Sequence, residues 1–261
     1  MAKRISIANQ KGGVGKSTST YALAAAKAAK IGKTLGPVLM IDMDPQYSLT
    51  EYCGMIPDSP EFNDMNTVKL FQRQTDPLDC VFEVEPLAEK YDLFIVPSTQ
   101  DLAITALDLH KNPSLIKVFK GKIDKLAKYF SYIFFDCPPS LDMLLTSALI
   151  SSDSVIVPVK PERLSYAGLK LIFNTIEGVQ SENNELNNPK LKVEGVLATM
   201  YRSNVKEHNE HIGLLAANNN LLGIIPMSAM VTKEVEFGLP VVIAHPTSKP
   251  AIEYIKVANK I

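Results

Sequence analysis

Short, continuous apolar runs alternate with amphipathic stretches from one end of the chain to the other. The runs are Arg4–Ala8, Val38–Asp42, Leu93–Pro97, Tyr132–Asp136, Ser154–Val159, Val193–Met200 and Leu222–Pro226. Most are apolar at successive positions, not at every second one, which marks strands covered on both faces. Helix-period segments lie between them. Lys16–Ile31 is rich in Ala and Lys and stops before Gly32. Pro113–Phe130 carries apolar residues at Ile116, Phe119, Ile123, Leu126, Ala127 and Phe130, close to helical spacing. Leu164–Val179 and Val205–Ala217 follow, and a last helix starts near Lys249-Pro250, where Pro suits the first helical turn. This alternation predicts an α/β fold: a doubly wound, mostly parallel sheet with helices on both faces.

Two stretches read as loops. Ile56–Asn66 carries Pro57, Asp58, Ser59, Pro60 and Asn63, and Glu182–Pro189 carries four asparagines and a proline. Neither is long enough to lead into a second fold. With no internal repeat and no low-complexity tract, one domain over residues 1–261 is expected.

Composition narrows the classes. The 261 residues are 46% hydrophobic and 21% charged, which excludes a disordered chain. Lys and Arg number 27 against 28 Asp and Glu, a net charge of −1, so a globally basic nucleic-acid binder is excluded while a local basic face is not. Cys53, Cys80 and Cys137 form no C-x-x-C pair, which argues against a disulfide scaffold and a zinc ribbon. After Met1-Ala2-Lys3-Arg4 the apolar stretch Ile5–Ala8 is too short for a signal peptide, and no run approaches the ~20 apolar residues of a membrane span. A soluble, cytoplasmic protein is expected.

The strongest chemical signal is Asn9-Gln10-Lys11-Gly12-Gly13-Val14-Gly15-Lys16-Ser17-Thr18, placed between the first strand and the first helix. That is the context of a phosphate-binding loop. Glycines let the backbone N–H groups wrap a phosphate. Lys16 would reach the β- and γ-phosphates, the Ser17 hydroxyl would bind Mg²⁺, and Thr18 would add donors near the α-phosphate. The strict G-x-x-x-x-G-K-[ST] pattern fails at Gln10, and a second lysine, Lys11, stands five residues before Lys16. A dinucleotide-binding reading fails because Thr18 replaces the third glycine.

Lys-Gly-Gly-Val-Gly-Lys-Ser-Thr resembles the signature of the deviant Walker A ATPases, the ParA/MinD family. Three further blocks resemble the same family: Val38-Leu-Met-Ile-Asp-Met-Asp-Pro-Gln46, the Walker B-like Ile133-Phe-Phe-Asp-Cys-Pro-Pro-Ser140, and an adenine-side loop from Ile225-Pro226-Met227-Ser228 to Phe237-Gly238-Leu239-Pro240. The Asp-Pro-Gln and Asp-Cys-Pro-Pro-Ser forms are similar to the ParA/Soj branch more than to MinD. The resemblance implies an ATPase that takes ATP and Mg²⁺ and forms an ATP-dependent homodimer. It implies nucleotide contacts from Lys11, Gly12, Gly13, Val14, Gly15, Lys16, Ser17 and Thr18, with Met200, Pro226 and Ser228 at the adenine. It makes Lys11 a residue that crosses the dimer interface to the partner's nucleotide, and Asp44 the residue that orients or activates the attacking water. Asp136 would hold Mg²⁺ through a water. Asp42 would support the Mg²⁺ shell or a lysine, or serve as a turn residue. Catalysis would thus rest on Lys11, Lys16 and Asp44, and the metal on Ser17, Asp42 and Asp136.

The family also implies partners: non-specific DNA and a ParB-like centromere-binding protein that stimulates hydrolysis, in the service of plasmid or chromosome segregation on the nucleoid. Candidate DNA contacts are Arg202, Lys233, Lys249, Lys256 and Lys260, although this C-terminal region carries six basic against five acidic residues. Met227 departs from the Soj branch, where a basic residue is common. His110–Ser131 holds six lysines against Asp124 and is either a positive ridge or a solvated face. A membrane anchor is disfavoured because Ile252, Ile255 and Val257 suit a terminal helix packed on the core. The alternative is a related ATPase that positions a protein cargo or acts at the membrane, as MinD does. With the phosphate loop at residue 9, no helix-turn-helix extension and no promoter autoregulation are expected. His208-x-x-His211 lacks a third metal ligand, and Cys137 reads as a small buried residue.

Overall fold

The computed structural model describes residues 1–34, 36–57, 59–62, 64–162, 165–181, 186–217, 221–235 and 237–261. Asp58 and Asn63 of the first expected loop, residues 182–185 of the second, Leu164 at the start of one expected helix, and Glu236 lie outside the described residues. Among the described residues one sheet contains β1 (Lys3–Ile7), β2 (Val38–Asp42), β3 (Phe82–Glu83), β4 (Leu93–Val96), β5 (Tyr132–Asp136), β6 (Ser154–Val159), β7 (Lys192–Tyr201) and β8 (Leu221–Pro226). Their order across the sheet is β3-β4-β2-β5-β1-β6-β7-β8, and every neighbouring pair is parallel except β3 with β4.

The helices are α1 (Lys16–Ile31), α2 (Ser48–Tyr52), α3 (Leu102–Lys111), α4 (Ser114–Leu126), α5 (Met143–Ile150), α6 (Ser165–Gln180), α7 (Lys206–Ala217), α8 (Ala229–Val235), α9 (Val241–Ala244) and α10 (Lys249–Lys260). They cover both faces of the sheet. Leu39 and Ile41 of β2 join Ile133, Phe135, Val155 and Val157 in one core, with Leu109 of α3, Phe119 of α4, Leu145 of α5 and Ile172 of α6. Val38 and Met40, one residue out of step, join Ile5, Ile7 and Phe134 in the other, with Leu23 of α1 and Tyr254 and Val257 of α10. A strand buried on both faces must be apolar at every position, which is why these runs show no alternation.

The expected α/β sheet is therefore present, with differences at the elements that carry a weak pattern. Two-residue β3 has no readable period. α5 is apolar almost throughout, so it shows no amphipathic stripe; its start is set by Asp142, whose carboxylate accepts hydrogen bonds from Leu144 N at 2.9 Å and Leu145 N at 3.1 Å. The lysine-rich helix is shorter than expected, Ser114–Leu126 in place of Pro113–Phe130. In α10 the buried face is Ala251, Tyr254, Val257 and Ala258, whereas Ile252, expected on the core, is 40% exposed.

The topology places one edge of the sheet at the phosphate loop. β1 lies between β5 and β6, so the chain leaves opposite sides of its carboxyl end. In such sheets ligands bind where the winding reverses. The register aligns Ile7 with Asp136 and Asp136 with Asp42, so the loops after β1, β2 and β5 open at one level.

Candidate functional site

The loop after β1 is pinned at both ends and open in the middle. The Asn9 side chain donates to Pro158 O at 2.6 Å and accepts from Lys11 N at 2.9 Å. Thr199 Oγ1 donates to Val14 O at 2.8 Å. Gly12 and Gly13 between these staples are exposed. Gly13 at φ 67° and Gly15 at φ 82° take the left-handed backbone that a glycine reaches without steric cost. Gly15 also precedes α1, whose first turn carries neither an acidic residue nor a side-chain cap. Its N–H groups therefore present an anion-binding end.

Lys16 begins that helix and is 7% exposed, with Nζ donating to Lys11 O at 3.3 Å. Burial pushes its pKa down, while the charges of Asp136 and Asp44 oppose that shift. Lys11 stands further out, with Nζ 3.5 Å from Glu162 Oε2, and Lys160 holds the other oxygen of the same carboxylate at 3.1 Å. The Lys11–Glu162 pair is partly solvated on both sides and is worth at most about 1 kcal/mol.

The three acidic residues have different surroundings. Asp42 Oδ2 accepts from Thr50 N at 2.9 Å and Thr50 Oγ1 at 2.8 Å, and Oδ1 accepts from Asp44 N at 3.1 Å. Both its oxygens thus hold the chain from Asp44 to Thr50, which fits the turn-residue alternative for Asp42. Asp44 accepts from Gln46 N at 2.9 Å; burial pushes its pKa up, against that bond and the charge of Lys16. Asp136 ends β5 fully buried. Thr20 Oγ1 donates to its Oδ1 at 3.3 Å, but Oδ2 is buried with no hydrogen-bond partner. Burial raises its pKa, countered first by the Ser17 hydroxyl and then by Lys16. A buried carboxylate oxygen without a donor, beside a serine hydroxyl, fits a divalent cation or its water shell.

Beyond Gly15 a cavity of about 270 Å³ is lined by Thr18, Met200, Ile225, Pro226, Ser228 and Tyr254 among others. Met200, Pro226 and Ser228, the expected adenine contacts, thus share one largely apolar cavity with the phosphate loop. Met200 adopts φ 53°, and Met227 N donates to Tyr201 O at 2.8 Å, which joins the ends of β7 and β8 beside the cavity.

The basic residues are less available than their number suggests. In the lysine-rich helix Lys122 is buried, with Nζ donating to Lys69 O at 2.8 Å and to Gln72 O. Lys125 pairs with Asp76 at 2.6 Å and Lys120 with Asp124 at 2.8 Å. Of the six lysines in residues 110–131, Lys122 is thus removed from the surface, Lys111, Lys120 and Lys125 carry ion pairs, and Lys117 and Lys128 stand exposed. Of the C-terminal candidates, Lys256 pairs with Glu253 at 2.7 Å and Lys260 donates to Leu222 O at 2.7 Å. Arg202, Lys233 and Lys249 are exposed. His208 Nδ1 accepts from Arg202 N at 3.1 Å, so it fixes a turn, and no group of three or more metal-ligating side chains occurs among the described residues. All three cysteines are free and buried. No described helix is long and apolar enough to cross a membrane.

Sequence reasoning missed Thr20, Thr50, Glu162 and Thr199, and gave Asn9, the first residue of the loop signal, no role. Thr20 lies one helical turn after Lys16, so it adjoins a readable motif. Thr50, Glu162 and Thr199 carry no local signal.

Comparison with known proteins gives a consistent neighbourhood. A sequence family described as AAA domain matches residues 2–193. The sporulation initiation inhibitor protein Soj of Bacillus subtilis is 32% identical over 264 residues, spanning 100% of this chain and 98% of that protein. A plasmid partition protein from Borrelia burgdorferi, solved bound to AMPPNP, superposes with a TM-score of 0.80 at 26% identity, covering 100% of this chain and 98% of that one. Cobyrinic acid a,c-diamide synthase from Mycobacterium smegmatis, solved with ADP and magnesium, superposes with a TM-score of 0.79 at 27% identity, covering 99% and 93%.

Proposed function

The chain belongs to the AAA domain family, within its ParA/Soj type, and we propose that it is a Mg²⁺-dependent ATPase that dimerises on ATP, binds non-specific DNA in that state and drives plasmid or chromosome segregation. The observation that carries the catalytic part is the orphaned, buried Oδ2 of Asp136 behind Lys16 and a loop of left-handed glycines. That arrangement suits a metal-bound polyphosphate, and the neighbours solved with AMPPNP and with ADP and magnesium support it.

In this reading the loop amides and the end of α1 cradle the phosphates, and Lys16 neutralises charge on the β- and γ-phosphates. Ser17 and Asp136 hold the ion. Mg²⁺ supplies charge stabilisation on the transferring phosphoryl group. Asp44, fixed by Asp42 and Gln46, orients or activates the attacking water. The base lies in the cavity of Met200, Pro226 and Ser228. The Lys11 side chain, held in its own subunit by a weak ion pair, would reach a partner's nucleotide, where a cation stabilises transition-state charge. Dimerisation then follows ATP, and hydrolysis, stimulated by a ParB-like partner, releases the dimer. We place this activity in one domain over residues 1–261, in the cytoplasm and on the nucleoid.

A second reading, positioning of a protein cargo, is favoured by the thin supply of free basic residues: Lys120, Lys122, Lys125, Lys256 and Lys260 are all engaged within the chain. Retention on non-specific duplex DNA with ATP, with ADP and without nucleotide separates the two. DNA partition requires retention with ATP that strengthens in Asp44→Ala; no retention under any condition favours the cargo.

A further inference from the structure

Two residues other than glycine adopt positive φ among the described residues, and both flank the site: Met200 beside the base cavity, and Tyr47 three residues after Asp44. Tyr47 sits at φ 45°, ψ 28°, at the start of α2, with no side-chain cap. This left-handed conformation suits glycine and costs any other residue free energy, so it persists where the surroundings enforce it.

We propose that Tyr47 is a positioning residue for Asp44, holding the loop that carries its carboxylate through a tether to Gln100. The inference rests on the reading of Asp44 given above. Tyr47 N donates to Asp44 O at 2.9 Å and Glu51 N donates to Tyr47 O at 3.0 Å, so the chain reverses between Asp44 and α2 through this one residue. The reversal brings Thr50 back to Asp42, the same carboxylate that accepts from Asp44 N. The loop after β4 grips the turn twice. Ser98 Oγ donates to Asp44 O at 2.8 Å, and Gln100 Nε2 donates to the Tyr47 hydroxyl at 3.2 Å. The two ends of the Asp44–Tyr47 turn are thereby fastened to two residues of a single loop. A glycine at position 47 would take the backbone without strain but offer Gln100 nothing to hold. The side chain explains why tyrosine stands where the backbone favours glycine.

The test measures ATP turnover, KM and melting temperature for Tyr47→Phe, Gln100→Ala, the double variant and Tyr47→Gly, with Asp44→Ala alongside. Tyr47→Phe and Gln100→Ala are each expected to lower kcat by roughly two- to threefold, the scale of one solvent-exposed hydrogen bond, with KM and melting temperature near wild type, because displacing a catalytic group costs rate before it costs binding. The double variant is expected to fall no further than either single one, since both remove the same bond. Tyr47→Gly is expected to melt higher yet turn over more slowly, a split that a purely structural role would not produce. Wild-type kcat in Tyr47→Phe and Gln100→Ala, with Asp44→Ala inactive, overturns the inference alone. Full turnover in Asp44→Ala overturns the role of Asp44, and this inference with it.

Discussion

Asp42 and Asp136 are register partners on β2 and β5, both shielded from solvent, and only Asp42 has donors for both of its oxygens. Asp136 keeps Oδ2 without a hydrogen-bond partner. Burial raises the pKa of both; the charge of Asp136 adds to the rise at Asp42 and that of Asp44 to the rise at Asp136, and in the proposed reading the open oxygen of Asp136 is where the cation sits. In the proposed reading, donors on Thr50 and Asp44 set the difference between Asp42, which fixes a turn, and Asp136, which would hold the metal.

This asymmetry predicts a pH dependence for the nucleotide-free protein. Asp136 has a folded-state pKa above the ordinary carboxylate value, so its contribution to stability is full below about pH 4 and is lost as pH rises through the folded value. At pH 8 Asp136→Asn removes a buried charge lacking full compensation. Melting temperature without nucleotide should rise by about 2–4 °C at pH 8, the gain of about 1 kcal/mol in a chain of this size, and by nothing at pH 4. ATP turnover should be lost. A variant that melts lower than wild type at pH 8 contradicts the argument.

Arg4 gives the opposite dependence. Its guanidinium contacts Asp153 at 2.8 Å and Asp124 at 2.7 Å, joining the start of β1 to the turn before β6 and to α4. Burial pushes the Asp153 carboxyl up, but hydrogen bonds from Arg4 outweigh it and hold the pKa below the ordinary value. Stability from this group is present above the unfolded pKa and lost as pH falls through the folded one. Because both carboxylates are partly exposed, Arg4→Ala should cost only about 1 kcal/mol at pH 7. Denaturant titrations at pH 7 and below pH 4 should show the gap from wild type shrinking.

Gly223 marks a close approach between β8 and α10. A Cβ there would stand 2.5 Å from Val257 Cγ2 and 3.4 Å from Leu197 Cδ1. Gly223→Ala should destabilise by about 1–3 kcal/mol through overpacking. Adding Val257→Ala makes room, so the double variant should recover part of the loss. Additive losses would show that the contact is not the cause.

In the DNA-binding reading, charge reversal at Lys256 and at Lys260 should lower retention alike but separate in melting temperature. Exposed Lys256 pairs with partly exposed Glu253 on its own helix, so Lys256→Glu should leave melting temperature within about 1 °C. Lys260 donates to Leu222 O, so Lys260→Glu should lower melting temperature as well as retention. If Lys256→Glu binds non-specific DNA with ATP as wild type does, that end of the helix does not contact it.

What the amino-acid sequence determined by itself is what lies close along the chain. The apolar runs at β1, β2, β5 and β6, the Ala-rich α1 ending at Gly32, and the Gly-rich loop with Lys16 are local patterns, and local backbone preferences and strand burial suffice to produce them. Short β3 and uniformly apolar α5 escaped because two residues, or a segment with no polar face, carry no period. Only the tertiary structure decided which charged groups are available. Lys122 reads as one more lysine on a basic helix until the backbone carbonyls of Lys69 and Gln72 are brought over its ammonium. The alternatives for Asp42, a metal shell, a lysine or a turn, stay open in the sequence, and only the fold brings Thr50 against Asp42 and not against Asp136. Tyr47 meets Gln100 across 53 positions of sequence, and neither residue signals the other. A hydrogen bond is satisfied by whichever partner the fold places within about 3 Å, and for these side chains that partner comes from a different element of the chain.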